Sequence, residues 1–322
     1  NILSNYKFYS KRLDTEDTHK WKAHGLGGIM ENIGSALEIP SAKYPYFVPS
    51  TPTFCMHPSD TDTLYVNKRF VNYYINGRGD YENQEYIETK NVFVELHFDR
   101  ESELWTVTKE QFLRHKTEYD NRYVGIEDVR IMTYGNHLYY TANRGIGGNQ
   151  MVVEHGTINQ TSFETEEVRH LKYDRSRQIE KNWVMFEADK CMKFVYNWHP
   201  MVIGVVENDR FKTMQTIKTP SVFKYLRGST NGVLVENETW FLCHAVSYED
   251  RRYYYHIIVM MDNTTHEIKY TRLFTLEQEK VEYSLGMMYR SNDNELWIGY
   301  SVMDRTARYM SIPVSVIRNM IV

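Results

Sequence analysis

The sequence has little cysteine: Cys55, Cys191 and Cys243 are the only three in 322 residues. Their number is odd and their spacing wide. None stands in the CxxC or Cys/His arrangement that holds zinc, so the expectation is buried free thiols in a reducing compartment. No apolar run approaches the roughly 18 residues that a membrane-spanning helix needs, and no basic start with an apolar middle marks a signal peptide. The chain begins at Asn1 rather than Met, as a segment of something longer would. Sequons at Asn159, Asn237 and Asn263 are near chance in an Asn-rich chain and do not establish secretion; a cytoplasmic location is expected. A dominant charge is missing too. The formal net charge of −4 and pI near 6.3 provide no basic field for nucleic acid or an anionic membrane.

Aromatic residues are abundant, with 26 Tyr and 14 Phe, and they suit both strands and sugar faces. Residues 1 to about 45 are polar and mixed, with Gly25, Gly27, Gly28 and Gly34 breaking any helix. From about residue 50 the chain becomes short runs of Val, Ile, Tyr, Phe and Trp between turns such as Tyr134-Gly135-Asn136 and Asn292-Asp293-Asn294, which is strand and hairpin punctuation. Helical periodicity is nearly absent, and only residues 108–116 read as a short helix. The class is therefore all-β.

Five segments share one shape, a polar residue, three or four apolar or aromatic ones, then a small or polar residue. They are Thr63–Asn67, His137–Thr141, Lys193–Asn197, Thr239–Cys243 and Glu295–Gly299, spaced by 74, 56, 46 and 56 residues. Each interval fits one four-stranded blade, and the pattern predicts a five-bladed β-propeller over residues 50–322 with residues 1–49 as an extension wrapped on it. The ends of the repeats should converge on one funnel. They carry Lys68, Arg69, Asn143, Arg144, Trp198, His199, His244 and Tyr300.

Three constellations have the residue types that chemistry needs. In Gly125-Ile126-Glu127-Asp128-Val129-Arg130, the adjacent carboxyls of a regular strand point to opposite faces, so one faces the funnel beside Arg130 while the other supports it. A carboxyl among guanidinium groups suits glycosyl transfer, where one group moves a proton and others hold an anion. The second constellation is Glu180-Lys181-Asn182-Trp183 with Asn197-Trp198-His199-Pro200. The third is Arg227-Gly228-Ser229-Thr230, followed by His244 and the run Arg251-Arg252-Tyr253-Tyr254-Tyr255-His256. Arg beside Gly-Ser-Thr lets backbone N–H, hydroxyl and guanidinium meet one phosphate. Taken singly, each has a plainer explanation: Trp183 and Trp198 as core residues, His244 as a satisfied core histidine, and Glu-Asp as a solvated turn.

Taken in this order, over roughly residues 50–310, these motifs resemble the mannoside phosphorylases and related five-bladed propeller glycosidases, and the β-mannosyltransferases that share the propeller. The resemblance implies that Asp128 is the proton-transfer group of an inverting reaction on a mannose-like sugar. It implies Arg130, Arg144, Lys181 and His244 as an anion cradle, with Arg227 and Tyr255 as additions and Asn67 and Arg69 as binding candidates from an approximately matching first blade. The implied partners are a sugar phosphate or nucleotide sugar donor and a glycan acceptor, without cofactor, metal or nucleic acid. Val129 departs from the family, where Pro is usual, which leaves the local turn geometry open.

Two other readings compete. Glu282, in Val281-Glu282-Tyr283-Ser284, offers the second carboxylate that inverting hydrolysis of a β-linked glycan requires. A propeller can also bind glycan without catalysis, although such a protein needs no cationic cradle. Asp60-Thr61-Asp62 matches the metal-binding triplet of nucleotide-sugar transferases but lacks the surrounding βαβ alternation and Gly-rich loop, so it reads as a surface turn.

Overall fold

A computed structural model describes residues 26, 28–35, 37, 47–116, 120–248 and 252–322, with the backbone of Lys11–Arg12. Five antiparallel sheets follow one another along the chain as the blades of a propeller. Blade 1 comprises Val48–Met56, Thr63–Val71, Ile87–Asp99 and Leu104–Phe112. Blade 2 comprises Ile126–Tyr134, His137–Gly145, Met151–Ile158 and Thr165–His170. Blade 3 runs through Val184–Ala188, Cys191–Trp198, Met201–Glu207 and Arg210–Ile217. In blade 4 the inner position is split between Leu226–Gly228 and Val233–Val235, both paired with Glu238–Tyr248; Arg252–Asp262 follows, edged by Ile268–Tyr270 and Phe274–Thr275. Among the described residues, blade 5 comprises Glu282–Arg290, Glu295–Val302 and Thr306–Pro313.

The five repeat segments all lie in the second strand of their blades, and burial explains their texture. Second strands are covered on both faces, so their apolar residues form runs instead of alternating with polar ones. In blade 4, Trp240 and Leu242 pack toward blade 5, whereas Phe241, Cys243 and Ala245 pack toward blade 3. In blade 1, Leu64 and Val66 face blade 5 and Tyr65 faces blade 2. The core is thus five wedges, one between each pair of neighbouring blades.

Residues 108–116 do not form the expected helix. Leu104–Phe112 is the outer strand of blade 1, paired along its length with Ile87–Asp99, and tertiary pairing overrides the weak local signal. Most of residues 1–49 lie outside the described set. Within it, the short helix Ile29–Asn32 brings Met30 into the wedge between blades 5 and 1, beside Leu26 and Ile33. Buried Lys68 anchors this segment by donating to the carbonyls of Met30, Glu31 and Ile33 at 2.8–2.9 Å. Cys55 and Cys243 are buried, but Cys191 is exposed at the edge of a turn, so the thiol expectation is corrected there. No helix among the described residues is long and apolar enough to cross a membrane.

The ring closes where the inner strand of blade 5 meets that of blade 1. A Cβ on Gly286 would lie 2.8 Å from Thr53 Cα and 3.0 Å from Phe54 N, both backbone atoms. Gly286→Ala is therefore expected to destabilise the fold by about 1–3 kcal/mol through overpacking at the closure. The check is thermal unfolding, and an unchanged Tm contradicts this account of the seam.

Candidate active site

Because wedge packing occupies both faces of the blade strands, polar side chains gather at the strand ends. There they line a cavity of about 220 Å³. Its wall contains the carboxyls Glu127, Asp128 and Asp304, the cations Arg69, Arg122, Lys181 and Arg227, His244, and the phenols Tyr73, Tyr81, Tyr123, Tyr254 and Tyr283.

Glu127 and Asp128 do not take opposite faces. The inner strand of blade 2 pairs Arg130 with Thr141 and Glu127 with Asn143, so it holds one residue more than its partner over this span. That residue makes a β-bulge, and Asp128 adopts a left-handed φ of 52°. The bulge turns both carboxyls to the cavity. Gly125 begins the motif at φ 85°, where a Cβ would come within 2.3 Å of the Thr89 carbonyl.

Asp128 is held on both oxygens. Arg69 donates to Oδ1 at 2.6 Å, while Asn143 Nδ2 and the Tyr283 hydroxyl donate to Oδ2 at 3.2 Å each. Arg69 reaches onward to the Tyr73 hydroxyl at 3.2 Å, which in turn donates to Asp304 Oδ2 at 3.1 Å. Glu127 Oε1 lies 3.8 Å from Arg69. Burial raises the Glu127 pKa, with Asp128 and Asp304 adding to the shift and Arg69 and Lys181 opposing it.

Arg130 lies behind Asp128 and is 1% exposed. It donates to the carbonyls of Ser229 (2.7 Å), Asp128 (3.2 Å) and Gly228 (3.3 Å), and to the Tyr283 hydroxyl (3.0 Å). It braces the cavity floor without lining it.

Lys181 and Arg227 are placed differently. Both line the cavity, and neither makes a hydrogen bond or ion pair with a described residue. His244, on the second strand of blade 4, is buried, with Nδ1 2.7 Å from Ser229 Oγ and its ring stacked on Tyr254. Burial holds its pKa well below the usual value, and the charges of Arg227, Arg130 and Lys181 press the same way. The imidazole is neutral at neutral pH, so the positive charge of the cavity comes from its arginines and Lys181, of which Lys181 and Arg227 make no hydrogen bond or ion pair with a described residue.

Of the residues singled out in the sequence, Asp128, Arg69, Lys181, Arg227 and His244 come together at the cavity. The others are corrected. Asn67 is buried in blade 1, donating to Asn91 Oδ1 at 2.9 Å. Arg144 turns into blade 2 and pairs with Glu154, both 1% exposed. Tyr255 faces the wedge between blades 3 and 4, because alternate residues of its strand take opposite sides and Tyr254 has the cavity side. Arg251 lies outside the described residues. Glu282 is fully buried and accepts the backbone N–H groups of Leu276, Glu277 and Glu279 at 2.6–2.9 Å; its neighbour Tyr283 lines the cavity instead. Trp198 and Tyr300 are core residues, and His199 bonds Thr219. Asp60 and Asp62 form a turn, with Asp62 paired to Arg100. Sequence reasoning missed Asp304, Tyr73, Tyr81 and Arg122. Strand parity relative to Arg69 marks Tyr73, and nothing in the sequence marks Asp304.

No family model and no curated protein matches the chain by sequence. Its fold is similar to that of a β-1,2-mannobiose phosphorylase from Listeria innocua, at 12% identity and a TM-score of 0.60, over 87% of this chain and 94% of that one. It is also similar to a glycosyl hydrolase from Bacteroides ovatus (10% identity, TM-score 0.55, 84% and 86% of the two chains). An α-L-arabinofuranosidase from Lactobacillus brevis is a third (9%, 0.52, 81% and 89%). At these identities the likeness is one of fold, and the propeller expected from the resemblance is the one observed.

Two stability effects follow from the charges. The Glu154 pKa is about 2: burial raises it, but the hydrogen bonds from His170, Arg144 and Tyr140 outweigh that effect. A depressed carboxyl pKa stabilises the fold above the unfolded value of about 4.3, and that stability is lost as pH falls toward 2. Arg144→Ala strands the buried carboxylate and is expected to cost about 3–5 kcal/mol at pH 7, read by denaturant unfolding. Glu127 carries the opposite sign, since a raised pKa destabilises the fold once pH exceeds the unfolded value. Glu127→Gln should therefore raise Tm at pH 8 and leave it unchanged at pH 4; a lower Tm at pH 8 contradicts this.

Proposed function

We propose that the chain is an inverting carbohydrate-active enzyme that moves a mannose-like glycosyl group between a sugar phosphate or nucleotide sugar and a glycan acceptor. The observation that carries this reading is the pairing, in one cavity, of a hydrogen-bonded carboxyl with two cations, Lys181 and Arg227, that make no hydrogen bond or ion pair with a described residue. An anionic group on the substrate completes that balance. A neutral glycan alone does not.

In the synthetic direction the acceptor hydroxyl oxygen attacks the anomeric carbon of the donor. The bond from that carbon to the phosphate oxygen breaks, and its electron pair leaves with the phosphate. Lys181 and Arg227 stabilise the charge that develops there, and neutral His244 offers a hydrogen bond that adds no charge. Asp128 takes the acceptor proton, directly or through a sugar hydroxyl. Its Oδ2 is suited to this because its donors are the neutral Asn143 and Tyr283, whereas Oδ1 is bound to Arg69. In the reverse direction a phosphate oxygen attacks and Asp128 returns the proton to the departing glycosidic oxygen. The tyrosines around the cavity offer faces for a sugar ring.

Hydrolysis is the second reading. Its support is the presence of Glu127 and Asp304 on the same cavity wall, where either carboxyl could activate water.

The test is turnover of mannose 1-phosphate, GDP-mannose and other nucleotide sugars with mixed acceptors, alongside β-mannosides with and without inorganic phosphate. Transfer from one donor is expected, and Asp128→Asn should lower kcat by about 10²–10⁴-fold with little change in KM. Cleavage of β-mannosides that is indifferent to phosphate, with no transfer, overturns transfer in favour of hydrolysis. Glycan binding without turnover, unchanged in the variant, overturns both.

A further inference from the structure

A second cavity, of about 210 Å³, adjoins the first and shares Ile179, Lys181, Asn182 and Arg227 with it. It opens between blades 3 and 4. Arg177, Tyr196, Asn197 and Trp198 complete much of its wall. Its one carboxylate, Glu180, is already engaged. Oε1 accepts from the Arg177 backbone N–H at 2.5 Å and the Tyr196 hydroxyl at 3.1 Å, and Oε2 accepts from Trp183 Nε1 at 3.1 Å. The Arg177 guanidinium makes no hydrogen bond or ion pair with a described residue.

Three cations that make no ion pair with a described residue therefore line this cavity, and two of them, Lys181 and Arg227, line both spaces as the ridge between them. A terminal phosphate on the ridge would meet those two and leave Arg177 and the space beyond unused. A diphosphate would use all three, one phosphoryl group on the ridge and the next beside Arg177. Guanidinium geometry suits phosphate oxygens, since it offers two parallel N–H donors.

We propose that the second cavity binds the distal phosphoryl group of a diphosphate-linked substrate that lies across the Lys181–Arg227 ridge with its glycosyl end beside Asp128. This rests on the transfer reading and deepens it, selecting a diphosphate ester over a monophosphate as the donor. Whatever is attached to the distal phosphate then meets Tyr196 and Asn197. Asn197 Nδ2 is committed to the carbonyls of His199 and Pro200 at 3.0 and 3.1 Å, which turns Oδ1 to the role of acceptor.

The test is calorimetric titration with inorganic phosphate and with pyrophosphate, using the wild type, Arg177→Gln and Arg177→Lys. Pyrophosphate is expected to bind about tenfold or more tightly than phosphate, and Arg177→Gln to weaken pyrophosphate about tenfold while leaving phosphate within about twofold. Arg177→Lys should recover part of the loss. Arg177 is exposed, so these replacements should leave Tm unchanged. Equal affinities for the two ions overturn the proposal, as does an Arg177→Gln variant that weakens neither ion or both alike. The transfer reading can fail separately: Arg177-dependent pyrophosphate binding without turnover of any donor sinks that reading and leaves the diphosphate site standing.

Discussion

Two buried guanidinium groups near the propeller axis hold the candidate site together. Arg69, from blade 1, binds Asp128 of blade 2 and, through Tyr73, Asp304 of blade 5. Arg130, from blade 2, binds carbonyls of blade 4 and the Tyr283 hydroxyl of blade 5. The apolar wedges between neighbouring blades are strong but non-directional, and polar contacts such as Asn231 Nδ2 to the Ile131 carbonyl at 3.1 Å and Thr51 to Ser301 at 2.7 Å also cross between blades. The arginines supply direction. They set how the inner strands converge, and so where Asp128 and the phenols lie relative to one another. Water-excluded hydrogen bonds of this kind are costly to break on one side only, which favours one arrangement of the funnel floor over its alternatives.

The same contrast between engaged and unengaged charge runs through the site. Arg69, Arg130 and Arg144 have their charge or donors satisfied by protein partners. Lys181, Arg227 and Arg177 make no hydrogen bond or ion pair with a described residue. The former brace the scaffold, and the latter are the groups proposed to meet an entering anion. His244 lies at the boundary, buried enough to remain neutral and close enough to the cations to serve an anion by hydrogen bonding alone.

Much of the architecture was legible in the sequence because a strand buried on both faces is recorded as an uninterrupted apolar run. Thr239–Cys243 shows this, with successive residues entering alternate wedges. Five such runs predict five blades. Residues 108–116 misled because an outer strand exposed on one face carries no comparable signal. In the site, the sequence expectation and the structure differ by strand parity: Tyr255, the expected addition to the cradle, and Glu282, the carboxylate of the hydrolysis reading, each stand one residue from a side chain that lines the cavity, Tyr254 and Tyr283. Parity is set by pairing register, which a single sequence does not contain. The bulge at Asp128 broke parity in the other direction and brought Glu127 to the cavity as well. Arg144 and Arg69 look alike in sequence, each near the end of a second strand. What separates them is whether a carboxylate waits inside the blade, as Glu154 does for Arg144, or across the seam, as Asp128 does for Arg69.

The proposed reaction is a single-displacement transfer in which Asp128 moves a proton and no protein atom bonds to the sugar. The most direct measurement is the anomeric configuration of the first product, followed by proton NMR during turnover of an α-linked donor. A single displacement gives a β-linked product at the earliest times. An α-linked first product would contradict it, because retention requires a nucleophile at the anomeric carbon and a second displacement.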